Sequence, residues 1–165
     1  MSRLHELDAA MTEAALAEAE RVRQLSQPSL AESICLDVIA VASTNQRALS
    51  LLVRTLCDQL VEDLGALSRA QRVLPRIQDD YEREMLTAET LERHARALLR
   101  ARPRQSRAAC RESLMRAVDH YAAAANLAPP GSIEALLRSN ACVRTLEAHS
   151  HLHVPVPEDV EHPIE

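Results

Sequence analysis

The sequence predicts an all-α protein of about seven helices arranged as antiparallel pairs, and three observations lead there. Hydrophobic residues make up 47% of the 165, yet there are only two tyrosines and no Phe or Trp, so the core must be aliphatic and alanine-rich. Such a core suits helices packed at close distance better than sheets. Glycine occurs only twice, which leaves little material for hairpins or phosphate-cradling loops. Apolar residues also recur at spacings of three and four along most of the chain, the period of a helix face.

Residues 3–25 place Leu4, Leu7, Met11, Ala14, Ala15, Val22 and Leu25 on one side, with acids and arginines elsewhere. Pro28 interrupts, and Ser29 with Glu32 forms a capping box ahead of a second segment, 29–42. Its run ICLDVIAV is strand-like by β-branched propensity and helical by its caps and its company. The helix reading implies burial nearly all round. Ser43 and Gln46 make another box, opening a helix over 45–64 whose inner face carries Leu49, Leu52, Val53, Leu56 and Leu60, with Gly65 as its stop.

A shorter helix, 66–77, carries Leu67, Ala70, Leu74 and Ile77, and Pro75 kinks it or ends it near Leu74. Asp79 and Glu82 start a long helix, 79–101, with Tyr81, Met85, Ala88, Leu91, Ala95, Leu98 and Leu99 inward. The loop RPRQS leads to a helix over 107–127, and PPG leads to a last helix over 132–148. Residues 1–148 thus read as a single helical domain, and 149–165, rich in His, Pro and acids, as an extended tail without a core pattern. Helices joined by loops this short lie antiparallel to their neighbours.

Within 117–129 the order Ala117, Tyr121, Ala124, Ala125, Pro129 resembles the second helix of a tetratricopeptide (TPR) repeat. In that family small residues let the helix nest against two first helices, an aromatic fills the gap between them, and Pro forces the turn. A looser echo runs through Ala31, Cys35, Val38 and Ile39, with Ser43 in the proline position. The stretches DDYEREMLTAETLERHARALL and APPGSIEALLRSNACVRTL are also similar to an uncharacterised bacterial branch of TPR-like proteins, which carries no activity to transfer. The resemblance implies a short TPR-like solenoid pairing 3–25 with 29–42, 45–64 with 66–77 and 79–101 with 107–127, closed by 132–148 as a capping helix. The alternative architecture is an irregular helical bundle.

Several function classes fall away. No signal peptide is visible and no apolar run approaches the ~20 residues a membrane span needs, so the expectation is a soluble cytoplasmic protein. Cys35, Cys57, Cys110 and Cys142 are scattered without C-x-x-C spacing and read as buried free thiols. A di-iron bundle needs paired Glu-x-x-His motifs, and Leu91, Ala117 and Leu146 stand where those glutamates would precede His94, His120 and His149. G-x-S-x-G and Gly-rich nucleotide motifs are absent; a spatial pairing of Cys110 or Cys142 with His120 stays open. The expectation is a non-enzymatic chain without a cofactor.

Charge is distributed unevenly. Residues 93–144 hold ten arginines against three acids, a formal +7, whereas residues 1–92 hold nine against sixteen, a formal −7. Every one of the 19 basic residues is Arg. The cluster Arg93, Arg96, Arg100, Arg102, Arg104, Arg107 and Arg111 has no aromatics to stack bases, which argues against nucleic acid and for an acidic protein partner or the chain's own acidic tail. A TPR-like groove would be lined by the first helices, through Asn45, Arg54, Asp58, Arg83, Arg96 and Arg100. Asn140 falls near the Asn of carboxylate-binding TPRs, whose companion lysines have no counterpart here. The leading expectation is therefore a protein- or peptide-binding adaptor. The alternatives are a metal-binding protein working through His149, His151 and His153, which alternate along the tail, and a subunit that self-associates into a homo-oligomer.

Overall fold

The structure is a computed structural model and describes residues 7–101, 106–149 and 152. Among these residues seven α-helices follow one another: α1 (Thr12–Gln24), α2 (Pro28–Val41), α3 (Gln46–Gln59), α4 (Ala66–Val73), α5 (Asp80–Ala101), α6 (Arg107–Leu127) and α7 (Glu134–Ala148). Short 3-10 turns precede α1 (Ala9–Met11) and follow α4 (Leu74–Arg76), and no strand occurs among the described residues. The run 34–41 is helical; its strand propensity yields to the packing of its neighbours.

Local chemistry explains most boundaries. The Asp8 carboxylate accepts from Ala10 N–H (3.0 Å) and opens the 3-10 turn, so α1 begins at Thr12. Its inner stripe is Leu16, Ala19 and Val22, whereas Met11 and Leu25, expected inside, are exposed. Met11 lies in the tighter 3-10 turn and Leu25 lies past the helix end, so both are rotated off the α-helical stripe. What ends α1 is not Pro28. Gln27 N–H donates to Val22 O and Ser26 N–H to Arg23 O, both at 3.0 Å, a Schellman closure with Ser26 at φ 60° in the position that glycine usually fills. Pro28 is instead the first residue of α2, where its missing N–H costs nothing. Replacing Ser26 with Gly removes the left-handed penalty, and denaturant melts are expected to show a gain of about 0.5–1 kcal/mol; a loss would place the stop elsewhere.

Two expected capping boxes are not built. Gln27 caps α2 without a side-chain bond, and Glu32 turns instead to Arg69 (2.7 Å) and Gln59 (2.7 Å). At α3 the cap is Asn45, whose side chain accepts from Ala48 N–H at 2.9 Å. Before α5 the N-cap bond does form: Asp79 accepts from Glu82 N–H at 2.7 Å. Helix α3 stops at Gln59 rather than Leu64, because Glu62 and Asp63 N–H both return to Gln59 O. Gly65 then serves as the residue before α4. Between α6 and α7, Ser132 N–H donates to Pro129 O (3.0 Å) and Gly131 sits at φ 86°, a type II turn with Pro130 and Gly131 at its centre.

The centre of the molecule is α3, buried on nearly every side and touching α1, α2, α4 and α5. By contrast α2 buries only Ala31, Cys35 and Val38; Leu30 and Leu36 remain 48% and 49% exposed. The expectation of all-round burial belongs to α3, not α2. Two hydrophobic clusters form. The first joins α1 to α4 with Leu86 and Ala97 of α5; the second joins α5, α6 and α7. Leu152 is 2% exposed in that second cluster, so the core reaches past residue 148 into the segment read as tail. All four cysteines are free and buried.

Side-chain bonds set the directions. Arg47 reaches Glu13 and Glu20 while Arg23 reaches Asp58, so α1 and α3 run parallel. Gln46 meets Gln78 before α5, and Arg93 meets Asp58 near the other end, so α3 and α5 run parallel too. Tyr81 meets Ser132, and Glu92 meets Arg138, which aligns α5 with α7. In the opposite sense Glu84 pairs with His120 and His94 with Ser113, so α6 is antiparallel to α5.

Candidate functional site

The parallel odd-numbered helices share a face, and along it runs a ribbon of charge made of two sets of ion pairs. At one end Arg23 of α1 donates to Asp58 of α3 at 2.6 Å. Asp58 also lies 3.5 Å from Arg93 of α5, and Arg93 lies 4.0 Å from Glu89. Glu89 in turn lies 3.8 Å from Arg54 of α3. One turn on, Glu92 is bound by Arg96 at 2.5 Å and by Arg138 of α7 at 3.3 Å, and Arg138 ends on Glu134 at 3.2 Å.

The ribbon is layered. Side chains of Glu92, Glu89 and Asp58 are 8%, 12% and 23% exposed, while those of Arg96, Arg93 and Arg54 are 59%, 41% and 40% exposed. The carboxylates lie at the base and the guanidiniums lie over them, so the skin of this face is positive. Glu134, at the edge, is the exception.

Beneath the ribbon Glu92 holds a buried network. The Tyr121 O–H donates to Glu92 Oε2 at 2.6 Å, and Arg138 Nη1 donates to Tyr121 Oη at 3.1 Å. Burial and the adjoining Glu92 carboxylate push the Tyr121 phenol far up, so it remains a donor. Burial opposes the charge of Arg138, but its bond to Tyr121 and the nearby Glu89 and Glu92 outweigh that and raise its pKa. An aromatic with a polar tip needs such a partner when buried.

Two depressions open beside Arg93 and Arg96. One, of about 560 Å³, lies between α5 and α7, with Ile133, Leu137 and Ala141 on the α7 side. The other, of about 320 Å³, lies between α3 and α5, over Cys57, Val61, Leu99 and Arg100. Arg93 and Arg96 border both. Burial lifts the Cys57 thiol to about 12, so it lies there as a neutral thiol.

The residues anticipated as a site divide. Arg54, Asp58, Arg96 and Arg100 come together on this face. Arg83 does not: it faces the turn after α4, donating to Ile77 O at 2.9 Å and pairing with Asp80. Asn140 is exposed on α7 but borders neither depression. Of the packing motif, Ala117, Tyr121 and Ala124 are fully buried, while Ala125 and Pro129 are exposed. Missed beforehand were Glu92, Arg138 and Leu137. Glu92 had a readable signal, since it falls among Ala88, Leu91 and Ala95 on the apolar stripe of α5, where an acid needs a partner.

Among the described residues no nucleophile–base pair involves a cysteine. His120 is bound to Glu84 and Cys110 faces Ala95 O at 3.5 Å. His94 Nδ1 and Ser113 Oγ lie 2.9 Å apart inside the α5–α6 contact, where burial lowers the His94 pKa and no described depression reaches them. Among the described residues no group of three His, Cys, Asp or Glu could hold a metal. His149 is held against Thr145 O at 2.8 Å, while His151 and His153 lie outside the described residues. No helix among those residues is long and apolar enough to cross a membrane.

With this geometry in hand, the chain was compared with known proteins. No family model matches it, and neither a search of curated proteins nor one of solved structures found a match.

Proposed function

We propose that this protein is a non-enzymatic binding module, built as a TPR-like stack of helix pairs, that holds an acidic protein or peptide segment on the face shared by α3, α5 and α7. One observation carries this reading: the arginines of the face lie over their carboxylates. An occupant would therefore meet guanidinium forks, which suit carboxylates. The apolar walls at Val61, Leu99, Ile133 and Leu137 add contact area that plain charge attraction lacks. The parallel run of the odd helices supports the stacked arrangement, and the buried Ala117, Tyr121 and Ala124 fit the packing roles such repeats give those positions.

The test is anisotropy of a fluorescent peptide rich in Glu and Asp with interspersed leucines, titrated with the full chain. Saturable binding is expected at low salt, weakening as salt rises. Arg96→Glu with Arg100→Glu should weaken it at least about tenfold, since like charges would then face the ligand. Equal affinity of the reversed protein would leave this face without a role.

A further inference from the structure

Another opening lies on the far side of α5. Thr87 and Arg96 are nine residues apart, about two and a half helical turns, so this opening faces away from the side of α5 that carries Arg96. This cleft, of about 460 Å³, sits between the end of α4, the first half of α5 and the second half of α6. Its cause is a mismatch of lengths. Helix α4 has 8 residues and breaks at Pro75, whereas α5 and α6 have 22 and 21 and pack together along their length. The short helix leaves part of the α5–α6 surface uncovered.

The floor is mainly apolar: Leu74 and Leu91 are buried beside Thr90, whose hydroxyl donates to Leu86 O, and Pro75 and Thr87 also line the cleft. The rim is polar, with Gln71, Arg83, Arg116 and His120 around the single acid Glu84. Glu84 is already engaged, since its Oε2 lies 2.7 Å from His120 Nδ1. Arg83 is anchored by Ile77 O and Asp80. Arg116 is exposed and has no ion pair among the described residues. A concave cleft with apolar side chains at its base and a few converging polar groups has features of a small-molecule site.

We infer that this cleft binds a small amphipathic carboxylate, with its hydrocarbon body against Leu74, Pro75 and Leu91 and its carboxylate at Arg116, beside the His120–Glu84 pair. A cationic ligand finds no unengaged acid on the rim, and a purely apolar one leaves Arg116 unused. The site is separate from the α3–α5–α7 face and stands whether or not that face binds an acidic partner.

The experiment is calorimetric titration of the full chain with octanoate, and with octylammonium and octanol as charge controls, read alongside the His120 ring protons by NMR. Octanoate should bind at a single site in or below the low-millimolar range, shift the His120 protons and outcompete both controls. Arg116→Ala, an exposed change that leaves the core intact, should weaken it about tenfold, and Leu91→Met should alter the fit while keeping the charge recognition. The inference is overturned if octanoate gives no saturable heat or leaves His120 unmoved. It is equally overturned if octylammonium or octanol binds as tightly, or if Arg116→Ala binds octanoate as well as the native chain. Capture of the acidic peptide at this cleft in place of octanoate would also overturn it.

Discussion

Glu92→Ala is expected to cost about 3 kcal/mol, the lower end of what breaking a buried charge network costs. The carboxylate accepts from Tyr121, Arg96 and Arg138 at once, and removing it leaves the buried Tyr121 O–H without its acceptor, with Arg138 as its remaining partner. The loss stays at the lower end because Arg96 and Arg138 are partly exposed and can turn to water. In a chain of 165 residues that is a fall of roughly 6–12 °C in Tm. Tyr121→Phe removes only the donor and should cost about 1 kcal/mol. The double variant should cost less than the sum of the two, by at least about 0.5 kcal/mol, because each single change already removes the shared bond. Additive losses by thermal melts would show that Glu92 and Tyr121 are not coupled.

Leu56→Ala is expected to cost about 4 kcal/mol, towards the upper end of the range for deleting buried Leu side chains. Leu56 is 1% exposed on α3, the helix that four others surround, so there is little freedom for neighbours to collapse into the cavity. The matched control is Leu36→Ala on the outer face of α2, where half the side chain is already in water; it should fall within about 0.5 kcal/mol. Equal losses in urea melts would contradict the central place of α3 relative to α2.

Where bonding is local, the sequence can be read well. Apolar spacing located all seven helices, and α6 ends where its two flanking loops require. The inner residues of α3, from Leu49 to Leu60, are buried as their spacing implies. Asp79 caps α5 through a bond three residues along the chain, to Glu82 N–H. The other two boxes failed for a reason of competition: Asn45 lies nearer the first turn of α3 than Ser43, and Glu32 gains more from Arg69 and Gln59 across the fold than from its own helix start. Burial of α2 was overestimated because apolar content reveals nothing of which neighbours exist to cover it.

The candidate face was legible only in part. Its arginines stood out as an excess of charge, but their depth relative to the carboxylates depends on contacts between residues 29 to 46 positions apart, such as Tyr121 with Glu92 and Arg138 with Glu92. Arg83 was grouped with Arg96 because both lie on α5, yet the helix turns them to different sides. Leu152 escaped notice because a lone leucine among histidines and prolines has no period to announce it.

The most direct measurement is an amide NMR titration of the full chain with the acidic peptide. Shifts are expected at Cys57 and Val61, along Arg93 to Arg100, and at Ile133 to Ala141, with α2 and the α4–α5–α6 cleft unchanged. Saturable shifts confined to α2 or to that cleft, or no shifts at all at low salt, would contradict the assignment of the α3–α5–α7 face as the binding surface.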